Sequence, residues 1–187
     1  MNLTPRPYSL NNPDGLYFVT FSVVFWIDIF VRLSYKDIFV QSLNYCIQNK
    51  GLRVHAWCLM RSHVHFILSA DQPQLFQLSD IMRDLKKHTA SQIIREIEAG
   101  AESRRAWLLD KFAFAAGKNS RNTIYQFWQQ NNQAEELIST HFKDQKPNYI
   151  HQNPVQEGWV AEAHYYLYSS ARDYSGIKGL VPITFIN

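Results

Sequence analysis

At 187 residues, with 46% apolar and 19% charged side chains, the chain is long enough for one domain with a sizeable core and too rich in apolar residues to be disordered. The formal net charge of +3 is small, but Arg83–Arg121 holds nine Lys/Arg against five Asp/Glu, a basic middle segment of the kind that meets phosphates. Met1–Gly15 carries three prolines and no apolar run, and the apolar run Leu16–Ile27 is only twelve residues where a spanning helix needs about 20, so no signal peptide and no membrane span are expected.

Leu16–Phe25 alternates and is dense in Val, Phe and Tyr, which predicts a strand. Ser34 is expected to cap a helix running to about Asn49, with Ile38, Phe39, Leu43 and Ile47 at helical spacing and Gly51 beyond its end. Leu52–Leu59 and His63–Ser69 read as a strand pair joined around Arg61-Ser62. A second helix is expected over Leu75–Glu98, Ala101–Ser120 shows no clear period, and Thr123–Gln129 has strand character. A last helix is expected from Lys143 to Asn153, stopped by Pro154. The order β-α-β-β-α-β plus a terminal helix predicts an α+β, ferredoxin-like (split βαβ) antiparallel sheet with helices on one face, plus a C-terminal helix that carries Tyr149. Cys46 and Cys58 lack metal-ligand spacing and read as core residues in a reducing, cytoplasmic compartment.

His63-Val64-His65 carries the chemistry. Residues two apart in a strand share a face, so both imidazoles project together while Val64, Phe66 and Leu68 face the other way. Two such imidazoles suit one divalent ion, although two histidines without any ligand fit the same short pattern. Tyr149 and Asn153 are four apart in the last helix and share a face, so the Asn153 amide oxygen can complete a mixed N/O site for Mg²⁺ or Mn²⁺ with the Tyr149 hydroxyl about a turn away. A packing aromatic is the alternative for Tyr149. Arg83, Lys86 and Lys87 on the second helix offer a small basic face for backbone phosphates. Trp107, Phe127 and Trp128 can stack on unpaired bases or pack in the core. Tyr165, Tyr166 and Tyr168 are further tyrosines near the C-terminus, and His151 falls on a different side of its helix from Tyr149.

The stretch from Ala56 to Leu68, centred on His63-Val64-His65, resembles the His-hydrophobic-His (HUH) motif of single-tyrosine transposases. Tyr149-Ile150-His151-Gln152-Asn153-Pro154-Val155 is similar to the Tyr-Ile-x-x-Asn-Pro-Val segment of the REP-associated tyrosine transposases, and Tyr168-Ser169-Ser170 and Asp173-Tyr174 resemble that family's closing elements. The resemblance spans about Leu16 to Tyr174 of a single domain over 1–187. It implies that Tyr149 is the nucleophile, that His63, His65 and Asn153 hold the metal, and that single-stranded or hairpin DNA is cut and rejoined through a 5′-phosphotyrosine by a monomer or homodimer. A catalytically silent hairpin-binding protein and an HUH replication initiator or relaxase are the alternatives. Ser62 stands where many relatives carry Asn or Glu.

Overall fold

In the computed structural model of the chain, which describes residues 10, 12–119, 124–130 and 133–186, the alternation in the sequence sorts side chains onto two sheet faces. Strand β1 (Tyr17–Ser22) sends Tyr17, Val19 and Phe21 into one apolar cluster and Phe18 into another. In β3 (His63–Ala70) Val64, Phe66 and Leu68 join the first cluster and Ile67 the second, so His63 and His65 share the second face. Strand β2 (Leu52–Leu59) keeps this division only by a bulge at His55, after which Trp57 and Leu59 face the first cluster and Ala56 and Cys58 the second. With β4 (Gln133–Glu136) these strands form one antiparallel sheet in the order β2-β3-β1-β4, the ferredoxin-like arrangement expected from the element order.

Helix α1 (Leu33–Asn49) buries Tyr35, Phe39, Leu43 and Cys46, and α2 (Leu78–Ala99) buries Ile81, Leu85, Ile93 and Ile97. The three-to-four spacing makes one apolar stripe on each helix, and both stripes close over the first sheet face, where Phe39 stacks on Phe66 with ring centroids 6.0 Å apart. Gly51 turns the chain from α1 into β2 at a φ of 65°, and a Cβ there would stand 2.8 Å from the Phe76 ring. Both requirements select glycine. Helix α3 (Arg105–Gly117) buries Leu108, Phe112, Ala115 and Ala116 and leaves its other side in solvent. Both cysteines are buried, as their contexts predict.

Five expected boundaries are corrected. Strand β1 ends at Ser22 rather than Phe25, and α1 begins at Leu33, with Ser34 inside the helix rather than at its cap. Helix α2 begins at Leu78 rather than Leu75, because residues 72–75 close a turn in which the Leu75 amide donates to the Gln72 carbonyl. The strand expected over 123–129 is not one: among its described residues only Trp128 bridges to Val23, and the place beside β1 is taken by β4. Phe127 and Trp128 are consecutive and both buried, so this segment plugs the end of the aromatic core instead of alternating across a sheet. The polar Gln-Ala-Glu-Glu of β4 is a strand through pairing, not propensity. Helix α4 (Thr140–Gln156) runs through Pro154 instead of stopping before it. Pro147 and Pro154 are both buried, and packing holds the helix past the amide that Pro154 lacks.

Helix α4 lies on the second sheet face, where Ile150 packs with Phe18, Ala56, Cys58 and Ile67. The following segment covers the free edge of β2: the Leu59 amide donates to the Tyr168 carbonyl, the Ser170 amide to the Trp57 carbonyl and the Thr184 amide to the Val54 carbonyl. A short helix, α5 (Ala171–Tyr174), follows. The Ser170 hydroxyl, fully buried, accepts from the Trp57 amide at 2.9 Å, donates to the Trp57 carbonyl and lies 2.8 Å from His151 Nε2. All three contacts are satisfied when His151 carries its proton on Nε2 and donates it. This one hydroxyl therefore ties α4 to β2. Ser170→Ala is expected to cost about 1–3 kcal/mol, because it strands a buried amide and a buried imidazole. Chemical denaturation should show a lower midpoint at unchanged slope, and an unchanged midpoint would refute the tie.

Candidate active site

The structure brings His63 and His65 of β3 together with Tyr149 of α4, on the sheet face away from α1 and α2. The two imidazole rings are 4.7 Å apart, and the Tyr149 ring is 5.7 Å from that of His65. Phe18 completes the group, stacked on His65 at 5.7 Å and edge-on to Tyr149 at 6.1 Å. Tyr149 is 47% exposed, so a phenol bounded by the two imidazoles on one side is open to solvent on the other.

The orientation of each imidazole follows from strand pairing. Thr20 lies directly across from His65 in the β1–β3 register, and its hydroxyl is 2.8 Å from His65 Nδ1. The Ser62 hydroxyl is 3.2 Å from His63 Nδ1. With both Nδ1 atoms engaged by hydroxyls, both Nε2 atoms are the ones left to bind a ligand, as in metal-binding histidines held by an outer hydrogen bond. Burial pushes His63 down to about 4, and burial, then repulsion from His63 and Lys146, pushes His65 down to about 3. Both rings are thus neutral near pH 7, the form that ligates metal.

Asn153 sits one turn beyond Tyr149, and its Nδ2 donates to the Tyr149 carbonyl at 2.7 Å. The amide nitrogen is thereby occupied within the helix, which leaves Oδ1 as the atom available to a cation. Among the described residues no three His, Cys, Asp or Glu side chains converge on a metal position. A hard divalent ion accepts a neutral N/N/O set with its remaining positions filled by phosphate or water, so the donors fit Mg²⁺ or Mn²⁺.

His151, between the two, faces the opposite way and is consumed by Ser170, with its ring 4.8 Å from Tyr174. That anchor sets the rotation of α4 and so presents Tyr149 and Asn153 outward. Of the other tyrosines, the Tyr166 hydroxyl donates to the Leu59 carbonyl and Tyr168 is buried, which leaves Tyr165 as the exposed one of the three. Thr20 and Phe18 were not among the expected site residues, and only the pairing register identifies them. Lys146, one turn before Tyr149, was also missed; it bonds Glu135 at 2.8 Å and lies 4.5 Å from the Phe18 ring, placing positive charge beside the site.

The basic face expected of Arg83, Lys86 and Lys87 is not a single face. Lys86 turns inward, donates to the Gln129 carbonyl at 2.8 Å and is pushed down to about 8 by burial. Its ammonium lies 5.3 Å from the Phe21 ring, an inward placement that spacing alone does not distinguish from an outward one. Arg83 bonds Asp80 and Asp84, and Lys87 lines an open groove between α1 and α2 with Lys50, His88 and Arg95.

The family described as "Transposase IS200 like" matches residues 29–131, more than half of the chain. A solved structure of a REP-associated tyrosine transposase bound to a REP hairpin is 18% identical, with a TM-score of 0.59, covering 100% of this chain and 94% of that one. A structure assigned as a transposase from Deinococcus radiodurans is 21% identical with a TM-score of 0.42, covering 72% and 87%. No curated protein matches the sequence. The first structure shares the fold. Among the described residues no helix is long and apolar enough to cross a membrane.

Proposed function

The chain belongs to the IS200-like transposase family, and on that premise we propose that it nicks and rejoins single-stranded DNA beside hairpins, with Tyr149 as the nucleophile. The observation that carries this reading is the juxtaposition of an exposed phenol on α4 with two neutral, hydroxyl-oriented imidazoles on β3. The hairpin in the REP-associated relative supports the same substrate class here.

The Tyr149 oxygen attacks the scissile phosphorus, the bond from phosphorus to the 3′ oxygen breaks, and the phenol proton is lost as the departing 3′ oxygen gains one. The protein then carries the 5′-phosphate, and a 3′-hydroxyl from another end reverses the exchange. One phosphodiester is spent for each one made, so no nucleotide triphosphate is required. Nε2 of His63 and His65 and Oδ1 of Asn153 would hold a divalent ion, which would supply polarisation of the scissile phosphate. Phe18 packs His65 and Tyr149 against the sheet, and Lys146 favours the approach of a phosphate. Lys87 and Arg83 on α2 serve more distant backbone phosphates, while Lys86 supports the fold. Localisation in the cytoplasm belongs to the same reading.

Cleavage of a hairpin with single-stranded flanks should require Mg²⁺ or Mn²⁺ and stop in excess EDTA. Full cleavage in chelator would remove the metal from the proposal. Tight hairpin binding with no cleavage in either metal would favour a silent binder.

A further inference from the structure

Beside the site, the chain leaves four large aromatic side chains in solvent: Phe25, Trp26, Trp107 and Phe114, each between 46% and 58% exposed. They form one surface. Phe25 and Phe114 have ring centroids 6.1 Å apart, and all four line a single hollow with Ile27, Asp28 and Lys111. Along α3 and into its C-cap, Trp107, Lys111, Phe114 and Lys118 recur at steps of four, three and four, so they share an outward stripe while Leu108 and Phe112 point into the core. Core packing accounts for none of the four.

Three observations identify the occupant. First, the Trp26 ring stands edge-on to His63 at 5.4 Å, so the surface is continuous with the metal-type histidines. Second, Phe25 and Trp26 hold φ values of 56° and 54°, a left-handed conformation costly for bulky side chains and found in no other described non-glycine residue. That backbone holds both rings outward, and such strain persists where the site needs it. Third, the charge is cationic: Lys111 lines the hollow and Lys118 lies 4.2 Å from the Phe114 ring, while Asp28 is neutralised by Arg104 at 2.7 Å. Asp110, three residues from Trp107 and four from Phe114, is the one acidic group of this stripe against the two lysines. Flat aromatic faces interleaved with lysines match the alternating bases and phosphates of an unpaired strand.

We propose that Phe25, Trp26, Trp107 and Phe114 form a stacking platform for unpaired nucleobases of single-stranded DNA adjoining the scissile phosphate, with Lys111 and Lys118 on the intervening phosphates. The inference rests on the transposase reading and adds where the strand lies. It also separates the three aromatics that the sequence offered for stacking: Trp107 serves the strand, while Phe127 and Trp128 are core.

The probe is a synthetic DNA hairpin with an unpaired thymidine flank, compared with the blunt hairpin and with a flank of abasic sites, all in EDTA so that no cleavage intervenes. Trp26→Gly and Trp107→Ala should each raise the Kd for the flanked hairpin about ten-fold or more and leave the blunt hairpin unchanged. Abasic flanks should produce the same loss with the wild-type protein. Trp26→Gly should keep or raise the melting temperature, since glycine adopts a positive φ without strain. Equal loss on the blunt hairpin, no loss on the flank, or a melting temperature lowered by several degrees would overturn the platform. So would a dimer, by sedimentation, that Trp26→Gly splits, because the patch would then bind a second copy. Adduct formation in Mg²⁺ is scored separately. Adduct with flank binding indifferent to Trp26 and Trp107 defeats the platform alone, and Trp26-dependent flank binding without adduct defeats the chemistry alone.

Discussion

Tyr149→Phe is expected to abolish the covalent protein–DNA adduct while leaving the fold and hairpin binding in place. The phenol oxygen is the only atom removed. The ring keeps its contacts with His65 and Phe18, and the hydroxyl lies on a 47% exposed side chain, so little packing is at stake. A nucleophile has no partial substitute, and cleavage should fall by about 10³-fold or more. The adduct is read as a slower band in a denaturing gel. Label placed 3′ of the nick should stay with the protein, and label placed 5′ should run free with a 3′-hydroxyl. The opposite partition would reverse the polarity of attack. An adduct that survives in Tyr149→Phe would transfer the role to another tyrosine. Tyr165 would be tested first, because Tyr166 is bonded to the Leu59 carbonyl and Tyr168 is buried.

How far the sequence anticipates this site depends on the range over which each constraint acts. The face shared by His63 and His65 and the helical step from Tyr149 to Asn153 are local, two and four residues long, and both are present in the structure. Ferredoxin-like topology was legible for a similar reason, since strand alternation and helix stripes repeat within each element. The failures involve distant partners. Gln133–Glu136 has no strand propensity of its own and acquires its identity from the edge of β1. Lys86 has the same spacing as an outward lysine, and it is tertiary partners such as the Gln129 carbonyl and the Phe21 ring that turn it in. Pro154 ends a helix in isolation, yet α4 continues because its prolines are buried. Thr20 is undistinguished in the sequence until register places it opposite His65. The positive φ values at Phe25 and Trp26 follow from no residue preference at all, and two bulky aromatics are poor candidates for them.

Removing the histidines should separate metal from nucleophile. His63→Ala, His65→Leu and the double variant are expected to lose cleavage by about 10²–10³-fold or more, since each single change deletes one of two imidazole donors, the double variant deletes both, and the remaining set cannot hold a hard cation against water. Leucine is the better probe at position 65, since it keeps most of the side-chain volume and offers an ion no donor atom. His65 is only 7% exposed beneath Phe18, and alanine would open a cavity whose instability could be mistaken for lost chemistry. His63 is nearer the surface, so alanine there should open a smaller cavity. Hairpin binding in EDTA should match wild type in all three variants, which certifies the fold. Thr20 adds a graded test. As a positioning residue it touches no substrate, but Thr20→Val removes the hydroxyl on His65 Nδ1 at nearly constant volume. The Mn²⁺ concentration at half-maximal cleavage should rise by about 10–100-fold, with the rate recovered at saturating metal. A purely structural threonine would instead lower the melting temperature and leave the metal midpoint where it was. Cleavage at the wild-type rate by the double histidine variant would show that the ion, if one acts, is held elsewhere.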